Sequence, residues 1–306
     1  MRVRIRFSKL GKVRWTSHRD VARMWERAFR RVGLPVAYTS GFSPRPKVSF
    51  GLALPTGHES VAEYLDVELA TTTPGPGEAA GSPDRGGDPA VLDPAVSDPA
   101  TLDPATLDPV ALDPVALDLA ALPARLSDAL PHGVDALAAV AIGPGTPSLQ
   151  EDVSVSTWRW AAVAAEGADA IVGDAIVGDA FVGHVAASVD ALLAAASAVV
   201  PRHRKGTEVF EDIRPAILSL RVTDGVITDA GAPPSADAGT VWLEADLASQ
   251  PRSIRPSDVL AALGPGFEER DVRRLHQWIW RDGARWEPVD LPADATCAPH
   301  VSRRAS

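Results

Sequence analysis

Cysteine is almost missing from this chain: Cys297 is the only one in 306 residues. One thiol excludes an intramolecular disulfide, a thiolate zinc site and a cysteine-ligated iron–sulfur cluster built by this chain alone. Long apolar runs are missing as well. No stretch reaches the roughly 20 residues that a membrane-spanning helix requires. The opening residues alternate Arg2, Arg4 and Arg6 with Val3, Ile5 and Phe7, which does not fit the apolar centre of a signal peptide. These absences lead to the expectation of a soluble, cytoplasmic protein. There is also no glycine-rich loop that follows a strand and opens a helix with Lys-Ser/Thr, so nucleotide hydrolysis has no support. His58, Glu59 and Glu63 have ligand chemistry, but the Pro55-x-Gly57 context puts the first two in a loop. Neither a metal nor another cofactor is expected.

Acidic residues are scarce at one end. Residues 1–50 hold 13 Lys plus Arg against only Asp20 and Glu26, a local charge of +11 in a chain whose total is −10, so the remainder carries −21. Such asymmetry points to an anionic partner, nucleic acid above all. The centre of this basic segment is Ser40 to Pro55, Ser-Gly-Phe-Ser-Pro-Arg-Pro-Lys-Val-Ser-Phe-Gly-Leu-Ala-Leu-Pro. Gly41 permits a turn, Pro44 and Pro46 stiffen the backbone beyond it, and Arg45 and Lys47 project from that stiffened segment. Val48, Phe50, Leu52 and Leu54 then alternate with small or polar residues, the period of a strand.

Hydrophobic periodicity organises the rest. Arg2 to Ser8 reads as a strand with Val3, Ile5 and Phe7 inward and a wholly cationic other face. After Lys9 to Trp15, a Gly11-centred turn with its own short extended piece, Ser17 caps a helix whose apolar stripe is Val21, Met24, Trp25, Ala28, Phe29 and Val32. Gly33 and Pro35 end it, and Arg19, Arg23, Arg27 and Arg30 line its opposite side. Short strands are expected over Val36 to Thr39 and Ala62 to Leu69. From 71 to 118 a Leu-Asp-Pro repeat places a proline about every fifth residue, which reads as a disordered acidic insertion or, as an alternative, an internal competitor for the basic face. Beyond it come a helix at 121–130 and a strand at 134–142. The second half repeats the scheme, with strands at 153–163, 217–226, 241–245 and 272–280 and helices at 184–199 and 256–263. An Ile-Val-Gly-Asp-Ala repeat at 171–180 reads as another low-complexity insertion. Between helix and strand lies a basic stretch with Arg202, Arg204, Lys205 and Arg214.

This order predicts an α+β fold of two tandem ferredoxin-like (βαββαβ) units. The basic N-terminal unit would span 1–70 plus 119–145, the second 150–288, and 289–306 would be a disordered tail.

Several motifs carry a resemblance: the Ser-His-x-Asp helix start, Gly-Phe-Ser-Pro-Arg-Pro-Lys, Leu-Ala-Leu-Pro, Glu63-Tyr64-x-Asp66, Asp212-Ile213-Arg214-Pro215 and Arg255-Pro256-x-Asp258-Val259-Leu260. Together they resemble the radical-SAM-linked protein family, a domain of unknown function encoded beside, or fused to, a radical SAM protein. The resemblance covers residues 2 to 70 and, more loosely, 120 to 280. It implies a radical SAM protein as partner and supplies no reaction of its own.

The function expected is a non-catalytic RNA-binding accessory subunit that presents RNA to that partner. Arg4, Arg6, Arg45 and Lys47 would hold phosphates, Arg23 and Arg27 would form a flanking track, and Arg204, Lys205 and Arg214 would close from the second unit. Trp25 belongs to the core stripe, whereas Trp15 and Tyr38 are candidates for stacking on bases. Two alternatives stand beside this reading. His18, next to Asp20, has the chemistry of a general acid or base for a metal-free endoribonuclease, against which stands its position as an exposed first-turn residue. A protein adaptor docking an acidic surface of the radical SAM partner without RNA is the other.

Overall fold

The computed structural model describes residues 1–70, 117–165, 179–204, 206–223, 240–281 and 283–289. The 71–118 and 171–180 repeats, except for residues 117, 118, 179 and 180, and the tail after 289 lie outside them. Among the described residues eleven strands and five α-helices form, nine of the strands in one large, mostly antiparallel sheet.

The first half supplies β1 (Arg2–Lys9), α1 (His18–Arg31), β2 (Val48–Phe50), β3 (Glu59–Glu68), α2 (Leu122–Ala129) and β4 (Val134–Ile142). Strand β1 lies between β3 and β4, antiparallel to both, and β2 pairs with the far end of β3. Ser17 caps α1 as its sequence predicts, its hydroxyl accepting from the Asp20 N–H. The helix closes at Gly33, whose φ of +69° is the left-handed conformation that suits glycine there. The alternation in β1 sends Val3, Ile5 and Phe7 to a core with Trp25, Phe29 and Leu126.

The second half adds α3 (Leu149–Asp152), β5 (Val153–Ala164), α4 (Asp179–Ala194), β6 (Val199–Arg204), β7 (Thr207–Asp212), β8 (Ile217–Thr223), β9 (Thr240–Ala248), α5 (Pro256–Leu263), β10 (Phe267–Arg281) and β11 (Ala284–Trp286). Its core gathers Trp160, Phe181, Val185, Leu243, Leu247 and Val259. The two halves share a sheet. Strand β10 runs antiparallel to β5 and also joins β3 in parallel through Arg273 with Glu59 and Arg274 with Ser60, giving the order β4-β1-β3-β10-β5-β9-β8.

Local expectations fail where only tertiary pairing decides. A 3-10 turn over Gly11–Trp15 takes the place of the short extended piece expected after the Gly11 turn, Val36 and Tyr38 form isolated bridges, and β2 stops at Phe50. The basic stretch between helix and strand, for which the sequence pattern predicts no strands, contains the hairpin β6–β7.

A third cluster closes the other face of the first half. Ala62 and Tyr64 alternate with Leu65 and Val67, so they face away from α1, where Leu149, Ile279 and Val289 cover them.

Candidate nucleic-acid interface

The chain from Val36 to Val48 folds back on itself as a finger. The Thr39 N–H donates to the Arg45 carbonyl at 2.9 Å and the Lys47 N–H to Ala37 at 2.8 Å, with Tyr38 bridged to Pro46. Its base is stitched to the end of β3, because Ala37 N–H donates to Glu68 and Glu68 N–H donates to Lys47. The Gly41-Phe42-Ser43 tip therefore stands on a hydrogen-bonded, proline-stiffened stem. Gly41 has a φ of +125°, a conformation that permits this turn.

Between this finger and α1 lies a groove of about 640 Å³. Pro44, Pro46, Val48 and Phe50 give it apolar walls above the buried Trp25 and Phe29, and Arg19, Arg23 and Arg45 give it positive charge. Glu26 is the one acid among its lining residues. Arg23 pairs with Asp20 at 3.3 Å, both side chains about half exposed, and pairs of that kind contribute little. Arg27 and Arg45 are exposed and have no carboxylate partner among the described residues. His18 stands beside the groove, its ring packed edge-on against Phe50 at 5.0 Å.

The other residues expected to bind phosphate fare differently. Arg4 and Arg6 are each 2% exposed. Arg4 makes a bidentate pair with Asp66 at 2.7 and 2.9 Å, and Arg6 is paired to Glu287 and donates to the Val61 carbonyl. The sequence pattern gives β1 a cationic face, and the structure buries that face under chain from 147 and 287–289. Both arginines leave the phosphate-binding set. Lys47 stays exposed but sits 2.8 Å from Glu68. In the second half Arg214 donates to the Leu193 and Ile217 carbonyls, fastening the end of α4, and Arg202 pairs with Glu211 and Asp258. Lys205 and the side chain of Arg204 lie outside the described residues. The geometry thus gathers Arg23 and Arg45, adds Arg19, and does not bring Arg214 to them. Trp25 is fully buried, whereas Trp15 is 65% and Tyr38 50% exposed. Phe42, at the finger tip, is fully exposed and is not among the residues that sequence reasoning marks, although Gly-Phe between two bends is the available signal.

A buried polar seam runs where β3 meets β10. Arg274 is sealed from solvent, donates to the carbonyls of Leu52 and Ala53 at 3.1 and 2.9 Å, and lies 4.7 Å from the Trp158 ring centre. Burial raises the Glu63 carboxyl above its ordinary pKa, with Arg274, Ser60, Lys9 and His18 pulling it back. Burial likewise lowers Arg274 and Lys9, and Glu63 opposes both shifts. Glu59 accepts from Arg273 and from the Gly11 N–H. Arg273 and Arg274 tie β10 to β3 and to the loop after β2, while Lys9 donates to the Arg14 and Thr16 carbonyls within the first half, so the seam serves the fold. Among the described residues no cluster of three or more His, Cys, Asp or Glu is placed to hold a metal, and no helix is long and apolar enough to cross a membrane.

Sheet, finger and groove define an α+β protein of two joined halves with a cationic groove on the first. The chain belongs to a family of uncharacterized proteins conserved in bacteria (DUF2344), whose model matches residues 2–79 and 109–256. No curated protein matches it.

Proposed function

We propose that this protein is a non-catalytic RNA-binding accessory subunit whose first half holds RNA in the groove between α1 and the finger. The observation that carries this reading is the convergence of Arg19, Arg23 and Arg45 on one groove with a single lining acid. Converging cations attract a polyanion and release its counterions. The ferredoxin-like reading of both halves belongs here too. It is supported by the orders β4-β1-β3-β2 and β10-β5-β9-β8, in which every neighbouring pair is antiparallel. Delivery of the RNA to a radical SAM enzyme rests on the motif resemblance alone and is part of the same proposal.

The test is filter binding of RNA across a salt series with wild type and the Arg23→Ala/Arg45→Ala double variant. Removing one phosphate-neutralising cation flattens the log–log salt slope by roughly 0.7–0.9. The double variant is therefore expected to bind more weakly on every sequence, with a slope shallower by about 1–2. No wild-type affinity at low salt, or unchanged slopes, would overturn the proposal.

A further inference from the structure

The finger carries more than charge. Phe42 at its tip is fully exposed and Tyr38 on its stem half exposed, and both sit on the same short hairpin as Arg45. A phenylalanine ring held wholly in water gains nothing from the fold, since it touches no core. Its stem, by contrast, is fixed by backbone hydrogen bonds on both sides and by Pro44 and Pro46, so the ring is presented with little backbone freedom left to lose on binding. Aromatic rings next to backbone-tracking cations are the means by which proteins grip unpaired nucleotides, because every base has a π-face to stack. The groove that the finger reaches through Pro44, Arg45 and Pro46 fits the same ligand. Its apolar walls and volume of about 640 Å³ fall within the range of about 300–1,000 Å³ typical of small-molecule sites. In an A-form duplex the bases are stacked inside and the deep groove is too narrow for side chains to reach them.

Resting on the RNA-binding reading above, we infer that the ligand is single-stranded RNA, with Phe42 and Tyr38 stacking on unpaired bases while Arg19, Arg23 and Arg45 hold the adjoining phosphates. The rings supply binding that salt does not screen, and the arginines supply the salt-dependent part.

The full chain can be titrated by fluorescence anisotropy against two labelled probes. One is an unstructured adenylate–cytidylate RNA of about 12 nucleotides, a length within the span of such sites; the other is a duplex of the same length. Both aromatic side chains lie on the surface, so Phe42→Ala and Tyr38→Ala leave every core residue in place. Expected are preference for the single strand and a loss of about ten-fold in its affinity for each alanine variant. The salt slope should not change, and Phe42→Trp should retain binding. Equal binding of duplex and single strand with both alanine variants silent would overturn this inference and leave RNA binding standing. Absence of binding to either probe at low salt would overturn both and favour a protein partner for the finger.

Discussion

The guanidinium of Arg274 and the carboxylate of Glu63 meet at 3.4 Å with both side chains buried. One belongs to β10 and the other to β3, so the pair joins the two halves of the molecule from inside. Burial opposes the charge on each, and the pair persists because each charge answers the other and Arg274 also caps two carbonyls.

Removing one partner leaves the other charged and buried. Arg274→Met should destabilise the fold by about 3–5 kcal/mol, and adding Glu63→Gln should recover part of the loss. Urea denaturation of the two variants measures it. A double variant no more stable than Arg274→Met would show that the carbonyl hydrogen bonds, not the charge pair, matter there.

Glu63 also gives stability a pH dependence of unusual sign. Its pKa in the fold lies above the ordinary glutamate value of 4.5. The folded state therefore holds the proton more tightly than the unfolded chain. The stabilisation is complete below 4.5 and is lost as pH rises through the folded value. Asp212, Glu211, Glu244 and Asp246 are held below their ordinary values and act in the opposite direction. They act equally in a Glu63→Gln variant, so they cancel in the difference. The Tm of Glu63→Gln minus that of wild type should climb as pH rises from 4.5 and then level off. A flat difference would refute the assignment.

Arg4 serves the fold, and its replacement should show this. Arg4→Met leaves Asp66 buried without its bidentate partner, at a cost of about 3–5 kcal/mol. Among molecules that remain folded, RNA affinity and salt slope should match wild type. A shallower slope would return Arg4 to the phosphate-binding set.

His18 separates a binder from a nuclease. Among the described residues its one ring contact is with Phe50, and its influence on Glu63 acts through the field alone. Wild type should leave bound RNA intact in the presence of chelator, and His18→Ala should keep its affinity. Metal-free cleavage by wild type that disappears in His18→Ala would reverse this conclusion.

Much of this architecture is legible in the residues. Ser17 and Gly33 mark the ends of α1, period-two runs mark β1, β4 and β9, and Pro256 opens α5. Alternation states which residues share a face but not what later covers it, and that is why the Arg4 and Arg6 face reads as available. Its cover comes from Pro147 and Glu287, at separations of 143 and 281 residues. The hairpin β6–β7 is hidden because β7 is mostly exposed and β6 is interrupted by Pro201, leaving no apolar period to read. The arginine stripe and the rigid loop are each visible. Their meeting across one groove depends on how β3 seats the finger, which no local pattern encodes.

The parallel splice of β10 onto β3 bears on how the molecule is made. Glu59 leaves the ribosome with one partner already made, Arg14 at 3.5 Å, but its closer partner Arg273, and Arg274, which pairs with Glu63, emerge roughly two hundred residues later. At about 5–20 residues per second that delay is on the order of 10–40 s. Throughout this interval the nascent first half carries two carboxylates at an edge its own strands do not close. Such an edge resists premature pairing with other nascent chains, because burying Glu63 without Arg274 would strand its charge. The growing polypeptide thus keeps that flank soluble until its own last long strand arrives to claim it.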